Sequence, residues 1–327
     1  MQTVKIGLIG CGTVTIKVHI PALMNDPSGA ISNYNFLIKA ICGLNNDNLN
    51  YIKSILPWVE VFNDYEDLLK NADCDAVLIA TGEQLHPLIS RDALNYGKFV
   101  LCEKPFGRNT EEIRKYFSNE RCNSENKLQI AFNKRFYPVY TIYETLIKNG
   151  KFGKPICGNF QFLTQQGMKK GWDGILSNMI HFCDLIISIF GDISDLYCVS
   201  NENQKGINIT ASMKSTEGSI ISFFFSSSAL WNAPWHEQWL LLDNDRNRIF
   251  AHNCNELMFS GNDNFSEYYD DSNSIFWLPD SHGYRTQLKS FYELVCGLRE
   301  KPKVGIKDAL SAHELFDRIR VICEKNI

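Results

Sequence analysis

Alternating strand-like and helical segments between Val4 and about Phe132 constrain the fold of this chain most strongly. The apolar runs that predict strands are KIGLIG, NFLIKAICG, DAVLIAT, FVLCEKP and KLQIAFN. Helical patterns lie between them, in VHIPALMND, DYEDLLKN, HPLISRDALNYG and NTEEIRKYFSNE. Steady alternation of strand and helix favours a parallel sheet with helices on both faces. We therefore predict a doubly wound α/β domain over residues 1–132.

The pattern changes after about Tyr137. The segments KPICGNFQFLT, ISDLYCVS, GINITASMKS, GSIISFFFSSSAL and EQWLLLDN predict consecutive strands, because turn residues rather than helices separate them. Such a run is typical of an antiparallel sheet. Two helices, around GYRTQLKSFYELVCGL and DALSAHELFDRIRVICEK, close the chain. We predict an α+β domain with a mostly antiparallel open sheet over residues 133–327, with the option that the last helix packs back on the first domain. The stretch NNDNLN is predicted to be a loop.

Composition excludes several function classes. The 327 residues are 44% hydrophobic and 21% charged, with a net charge of −4. This balance gives no electrostatic case for binding nucleic acid or an anionic membrane. No apolar run approaches ~20 residues and no signal peptide is evident, so we expect a cytoplasmic protein with no membrane span. The 11 cysteines follow no disulfide framework and form no CxxC pair, which predicts reduced thiols and no metal site.

The first strand ends in the turn GCGTVT. A dinucleotide site needs Gly10 for the tight turn and Gly12 for close approach of the backbone to a diphosphate, with a helix N-terminus aimed at it. Thr13 and Val14 follow and are candidate cofactor contacts. Thr15 stands where a third glycine would serve helix packing. Taken alone this turn is weak evidence, and an ordinary strand-to-helix turn is the alternative.

The end of the second strand leaves the choice of cofactor open. An acidic residue there would bind the adenosine ribose of NAD, but the position is Gly43, followed by Asn45 and Asp47. Without that acid the pocket would tolerate the 2′-phosphate of NADP, yet no arginine stands nearby to bind it. The expected cofactor is NAD or NADP.

Several motifs in this order resemble one family. They are the glycine turn, IAT followed by His86, ALNYGKFVLCEKP, AFNKRFYP, GKFGKP and HFCD. Together they resemble the glucose–fructose oxidoreductase and inositol dehydrogenase family, Gfo/Idh/MocA, over nearly the whole chain. The resemblance implies an NAD(P)-dependent oxidoreductase that transfers hydride to or from a secondary hydroxyl of a sugar, a cyclitol or a nucleotide-linked sugar.

The same resemblance assigns the principal catalytic group to Lys104. It ends a parallel strand, at the sheet edge where open α/β folds bind ligands, and it could exchange a proton with the substrate hydroxyl. The peptide bond before Pro105 is often cis in the family. A solvated charge at a strand end is the alternative for Lys104. The predicted cofactor contacts beyond the glycine turn are Thr81, His86, Glu103, Lys104 and Arg135, and Glu103 would orient either the cofactor or Lys104. Asn133 is a substrate candidate, and a plain surface basic pair is the alternative for Lys134 and Arg135.

A second catalytic candidate lies in GWDGILSNMIHFCDLIISIFG. His181 and Asp184 match the family's helix, but Ser177 stands four residues before the histidine where the family has aspartate. Residues four apart share a helical face, so Ser177 and His181 are substrate candidates, and Asp173 could compensate for the lost acid. Trp172 is either a substrate platform or core. A buried His181–Asp184 pair is the structural alternative.

Two other functions stay open at this level. A redox-neutral lyase or hydrolase would use NAD only transiently, and a non-catalytic member would sense NAD(P) or another ligand. Ser177 and Gly43 favour the second of these, whereas Lys104 and His181 argue against it. The family's open sheet face often forms dimers, so a homodimer or homotetramer through the C-terminal sheet is expected. The stretch WNAPWHEQW is either a strand pair that covers the sheet or part of that interface.

Overall fold

The computed structural model describes residues 2–24, 34–117, 125–165, 171–229, 236–253, 256–261, 266–270 and 283–325. The chain forms two compact units, of which the first is Met1–Asn133 with Gly283–Ala309. The second is Lys134–His282 with Leu310–Ile327. The boundary after Asn133 lies one residue from the predicted one. The prediction is wrong for Gly283–Ala309, which it assigned to the second domain.

The first unit contains the predicted parallel sheet. Its six strands are arranged in the order β3-β2-β1-β4-β5-β6, and every pair is parallel. They are β1 Val4–Ile9, β2 Phe36–Cys42, β3 Glu60–Phe62, β4 Ala76–Ile79, β5 Phe99–Cys102 and β6 Leu128–Ile130. This is the strand order of the dinucleotide-binding fold, in which the direction of winding reverses between β1 and β4. The predicted fold class is confirmed for this unit.

Helices join these strands. A π-helical turn, Thr15–His19, continues into the short helix Ile20–Leu23 (α1). The other helices are α2 Asn46–Ile55, α3 Tyr65–Asn71, α4 His86–Asn95 and α5 Thr110–Phe117. The prediction of a loop at NNDNLN is wrong, because Asn45 accepts a hydrogen bond from the backbone N–H of Asn48 (2.9 Å) and so caps α2.

The helix α8, Tyr284–Val295, belongs to the first unit because its apolar face completes that unit's core. Leu288, Phe291 and Leu294 are buried in the same hydrophobic cluster as the buried side chains of β1 and β2. The ring of Phe291 stacks on Phe36, with centroids 6.3 Å apart. This packing is why the chain returns to the first unit after the second sheet.

The second unit is built on an eight-stranded sheet, ordered β14-β13-β12-β11-β7-β10-β9-β8. Its strands are β7 Pro155–Leu163, β8 Ile193–Asn203, β9 Gly206–Ser215, β10 Ile220–Ser226, β11 His236–Asp243, β12 Arg248–His252, β13 Glu256–Ser260 and β14 Ser266–Asp270. All pairs are antiparallel except β7 with β10. The predicted mostly antiparallel sheet is confirmed, although β12 to β14 escaped prediction. Most of the tryptophan-rich stretch, residues 231–235, lies outside the described residues.

Three helices complete the second unit. They are α6 Pro138–Lys148, α7 Gly171–Phe190 and the later part of α9 Ile306–Lys325, whose first residues belong to the first unit. The ring of Phe182 on α7 stacks between Phe162 and Phe223 of the sheet, with centroid distances of 4.6 and 5.9 Å. Among the described helices, α7 alone has the length and composition of a membrane span. That is weak evidence for one, since 72% of its apolar window is buried inside the protein.

Candidate cofactor pocket and catalytic residues

The turn after β1 requires glycine at position 10. Gly10 has φ +97°, and a Cβ there would lie 2.4 Å from the carbonyl oxygen of Ala80. Its N–H donates to the carbonyl of Cys42 at 2.8 Å, which ties the turn to the end of β2. A side chain would therefore clash with β4 and strain the backbone at once. Glycine at position 10 thus allows the turn after β1 to pass close to the end of β4 at the reversal point of the sheet.

Gly12 and Thr15 have different roles in the rest of this turn. A Cβ on Gly12 would have no heavy atom within 4 Å, so this backbone faces open space. Thr15 is fully buried, and its hydroxyl donates to the carbonyl of Gly10 at 2.5 Å. The hydrogen bond explains how threonine replaces the third glycine. Thr13 and Val14 are both exposed at the start of the helical turn, and their contact with a cofactor stays a prediction.

A cavity of about 470 Å³ opens at the carboxyl ends of β1 to β4. Its size is that of a typical small-molecule site. The predicted contacts Gly10, Gly12 and Thr81 are among the residues that line it. Sequence reasoning missed the polar part of its wall, contributed by Asn45, Asn48, Asn63, Asp64 and Tyr65.

Two thiols also line this cavity. Burial raises the pKa of Cys11 to about 12 and the pKa of Cys42 to about 11. Both thiols are therefore neutral near pH 7 in the protein as described, which makes them poor nucleophiles. Across the described residues, no cluster of three or more His, Cys, Asp or Glu side chains could hold a metal ion.

Lys104 stands at the same edge of the sheet as the cavity. It lies two residues beyond Cys102, the last residue of β5. Cys102 pairs with Ile79 of β4, and Ile79 pairs with Ile9 of β1. Neighbouring strands are about 4.8 Å apart, so Lys104 is within reach of a ligand that extends across the strand ends. Lys104 is half-buried and is joined to Pro105 by a cis peptide bond. Asn133 follows β6 at the same edge and is 5% exposed.

Glu103 is engaged inside the protein. Its Oε1 lies 2.8 Å from Nε2 of His19, which is 1% exposed, and its Oε2 accepts from the backbone N–H of Lys104 at 3.1 Å. Burial opposes the charge on Glu103, but its interactions with His19 and then with Lys104 together hold the Glu103 pKa below its usual value. Glu103 thus positions the backbone of Lys104, whereas its predicted contact with the cofactor stays a prediction.

His86 supports two backbone segments next to the pocket. The side chain is 2% exposed, with Nδ1 2.7 Å from the carbonyl oxygen of Pro105 and Nε2 3.1 Å from that of Thr81. Burial lowers the pKa of His86, and the two backbone carbonyls oppose that shift. The predicted direct contact with the cofactor is corrected to an indirect role, because the ring nitrogens face backbone carbonyls. His86 links the loop after β4 to the turn that follows Lys104.

In the second unit, the two basic residues of AFNKRF are buried. Lys134 is 5% exposed and forms an ion pair with Glu237. Its ammonium also lies 5.0–5.5 Å from the ring centroids of Tyr137, Phe162 and Phe182. The alternative of a surface basic pair is therefore wrong.

Arg135 is 8% exposed and makes a two-pronged ion pair with Asp184. Its Nε and Nη2 donate to the two carboxylate oxygens at 2.8 and 2.6 Å. Such bidentate pairing fixes the guanidinium plane. A contact between Arg135 and a cofactor stays a prediction, and the structure shows Arg135 bridging to α7.

The helix α7 carries the remaining candidates. Ser177 is half-buried and His181 is 8% exposed, one turn apart on the same face. Trp172 is a core residue, since it is 8% exposed and packs edge-on against Phe316 with centroids 6.1 Å apart. This corrects its assignment to the substrate. Asp173 is exposed and lies 3.5 Å from Arg320, so its carboxylate is directed to α9.

Comparison with known proteins gives one family match and several relatives. Residues 4–131 match the model of the Gfo/Idh/MocA oxidoreductase family with an NAD-binding Rossmann fold. Inositol 2-dehydrogenase from Salmonella typhimurium (strain LT2) is 26% identical over 156 residues, which is 47% of this chain and 44% of that protein. The chain thus spans about half the length of such curated relatives.

Two solved structures share the fold over nearly the full length. A dehydrogenase from Chromobacterium violaceum superimposes with a TM-score of 0.86 at 16% identity, covering 100% of this chain and 97% of that one. An oxidoreductase from Agrobacterium radiobacter, solved with NAD⁺, L-tartaric acid and magnesium, gives 0.82 at 19% identity, covering 99% and 97%. At these identities the likeness establishes the fold, including the second unit.

Proposed function

Because residues 4–131 match the model of the Gfo/Idh/MocA family of oxidoreductases with an NAD-binding Rossmann fold, we propose that this protein is a dehydrogenase acting on a secondary hydroxyl. The match confirms the family resemblance and the nicotinamide dinucleotide that it implies. The observation that carries the proposal is the open backbone of Gly12 in a cavity at the reversal point of the sheet, with Lys104 on a strand end of the same edge.

The residues of the first unit fit a dinucleotide. The turn at Gly12 leaves room for a diphosphate against the backbone and the following helical turn. When bound, the dinucleotide supplies the hydride acceptor or donor. Lys104 would take the proton of the substrate hydroxyl at Nζ, or return it in the reverse direction. Glu103 holds the Lys104 backbone, and His86 holds the turn behind it.

In the second unit, we propose His181 as a further proton-handling group and Ser177 as a substrate contact. Ser177 cannot carry charge, but its hydroxyl can both donate and accept a hydrogen bond with a substrate hydroxyl. The two residues share one face of α7, and Arg135 anchors the helix through Asp184 one turn later. His181 and Lys104 lie in different units, so the role of each residue is argued from its position within its own unit.

The proposed substrate is a ring with several hydroxyls. The relative from Salmonella typhimurium is named for inositol, a cyclitol, and the sequence resemblance extends the class to sugars and nucleotide-linked sugars.

The function is tested by mixing the protein with NAD⁺ or NADP⁺ and a panel of cyclitols, sugars and nucleotide-linked sugars, and by following absorbance of the reduced cofactor. Reduction with at least one of them is expected. Cofactor binding without turnover on the whole panel would instead favour the ligand-sensing alternative, for which Ser177 in place of aspartate is the supporting observation.

We also propose that the outer face of the second sheet joins copies of the chain. The inner-face residues are buried, yet six apolar side chains of the outer face are 36–67% exposed. They are Tyr197, Val199, Ile220, Phe224, Leu240 and Met258. A patch of this kind is typical of an interface. The expected assembly is a homodimer or homotetramer.

Placing charge in this outer face is expected to dissociate the assembly. In the double variant Phe224→Glu/Leu240→Glu, like charges would meet without partners across a symmetric contact. Light scattering after size exclusion should give a monomer mass for this variant and a multiple of it for the wild type. Leu298→Glu, at an exposed position of the first unit (74%), is the matched control and should keep the wild-type mass. A monomeric wild type at micromolar concentration would contradict the proposal.

A further inference from the structure

The adenosine end of the cavity is built by two adjacent strand ends. β2 and β3 pair in parallel with Cys42 opposite Phe62, and the N–H of Gly43 donates to the carbonyl of Phe62 at 3.3 Å. Asp64 lies two residues beyond β3 and lines the same cavity as Gly43. In dinucleotide-binding folds the ribose of the adenosine is bound at the end of the second strand. Asp64 therefore stands next to the place where an acid is missing.

Gly43 cannot readily carry that acid itself. A Cβ on Gly43 would lie 3.2 Å from the Cβ of Cys11 and 3.5 Å from its backbone nitrogen. A larger side chain would push against the glycine turn that the diphosphate needs. The neighbouring strand end is the next position from which a carboxylate can reach the same space.

The carboxylate of Asp64 is held in place by the backbone. Its Oδ1 accepts from the N–H groups of Glu66 and Asp67 at 2.8 and 3.2 Å, as the N-cap of α3. Its charge acts on the wall of the cavity. Burial raises the pKa of the Cys42 thiol, and the charge of Asp64 raises it further. Oδ2 has no role in this cap, and a carboxylate oxygen has lone pairs that a ribose hydroxyl can use.

Among the described residues, the rest of this wall carries no compensating positive charge. Within the part of the chain that the structure describes, the residues lining the cavity include neither Lys nor Arg. The polar side chains beside Asp64 are the neutral amides of Asn45, Asn48 and Asn63. A phosphate on the ribose would bring close to two negative charges to this wall.

We propose that Asp64, at the end of the third strand, makes the pocket select NAD over NADP, in place of the usual acid at the end of the second strand. The inference rests on the proposed cofactor pocket and adds the residue that decides the coenzyme. A 2′-phosphate would be repelled by Asp64 and would find no cation, whereas a 2′-hydroxyl would donate to it. Repulsion between like charges in a partly solvated site predicts a preference for NAD⁺ of at least roughly tenfold.

Two substitutions change the charge of this wall, and a third serves as a control. Asp64→Asn keeps a side chain that caps α3 but removes the charge, so the ratio of the two dissociation constants should fall by roughly tenfold. Leu44→Arg supplies the missing cation, because Leu44 lines the cavity and is 93% exposed. It should tighten NADP⁺ binding by a similar factor. Tyr51→Arg, on α2 outside the lining and 52% exposed, adds the same charge elsewhere and should leave the ratio unchanged.

Titration calorimetry of each protein with NAD⁺ and with NADP⁺ is the experiment. The expected result is tighter binding of NAD⁺ to the wild type and a reduced ratio in Asp64→Asn and Leu44→Arg. Wild-type protein that binds NADP⁺ as tightly as NAD⁺, or an unchanged ratio in Asp64→Asn, would overturn the inference while leaving the dehydrogenase proposal intact. Binding of neither coenzyme to the wild type would instead overturn the proposed function, and the inference with it.

Discussion

Lys104→Met is expected to lower turnover by about 10²–10⁴-fold, the usual contribution of a positioned general acid or base. Met keeps much of the length of the side chain but cannot move a proton. Binding of the dinucleotide should persist, because its diphosphate is proposed to lie at the turn after β1, two strands away from β5. Initial rates and calorimetry on the same preparation measure the two effects separately.

A matched control for this variant is Lys70→Met, which removes an exposed lysine from the end of α3. It should retain wild-type rates. Should Lys104→Met turn over substrate as fast as Lys70→Met, the role of Lys104 in proton transfer would be ruled out. The alternative of a solvated charge at a strand end would then hold.

Glu237→Gln is expected to destabilise the second unit by about 3–5 kcal/mol, the usual cost of removing one partner from a buried ion pair. Lys134 is 5% exposed and lies among three aromatic rings, so its charge cannot turn to water when the carboxylate is lost. Chemical denaturation, followed by fluorescence, measures the change in the free energy of unfolding.

Two further variants test the reason for that loss. Lys134→Met/Glu237→Leu removes both charges, and it should recover most of the stability because no unpaired charge stays buried. Glu324→Gln breaks the exposed pair with Arg320 and should cost at most about 1 kcal/mol. If the double variant were as unstable as Glu237→Gln, packing rather than charge would explain the effect.

The sequence predicted those features of the fold that depend on local pattern. Strand–helix alternation predicted the parallel sheet, and Gly10 was identified as the tight turn for the reason that the structure bears out. The loop predicted at NNDNLN failed because its asparagines have weak helix preference, whereas the capping hydrogen bond of Asn45 sets the start of α2. A capping signal was present in the sequence there and would have found the helix.

Features that depend on distant parts of the chain could not be predicted. The burial of Lys134 depends on Glu237, 103 residues away, and no local sequence pattern predicts that ion pair. The pairing of Glu103 with His19 likewise joins residues 84 apart. Asp64 escaped notice because β3 has only three residues, too few for a strand period to show. The return of α8 to the first unit is equally a matter of tertiary packing.

The central claim, that the cavity at the glycine turn binds a nicotinamide dinucleotide, is tested most directly by titration calorimetry with NAD⁺ on the wild type and on Gly12→Val. A side chain on Gly12 would enter open space in the free protein, so Gly12→Val should fold with an unchanged melting temperature. The same side chain would occupy the place of the diphosphate. We predict binding to the wild type and no detectable heat with Gly12→Val. No heat with the wild type, or equal affinity in the two proteins, would contradict the account.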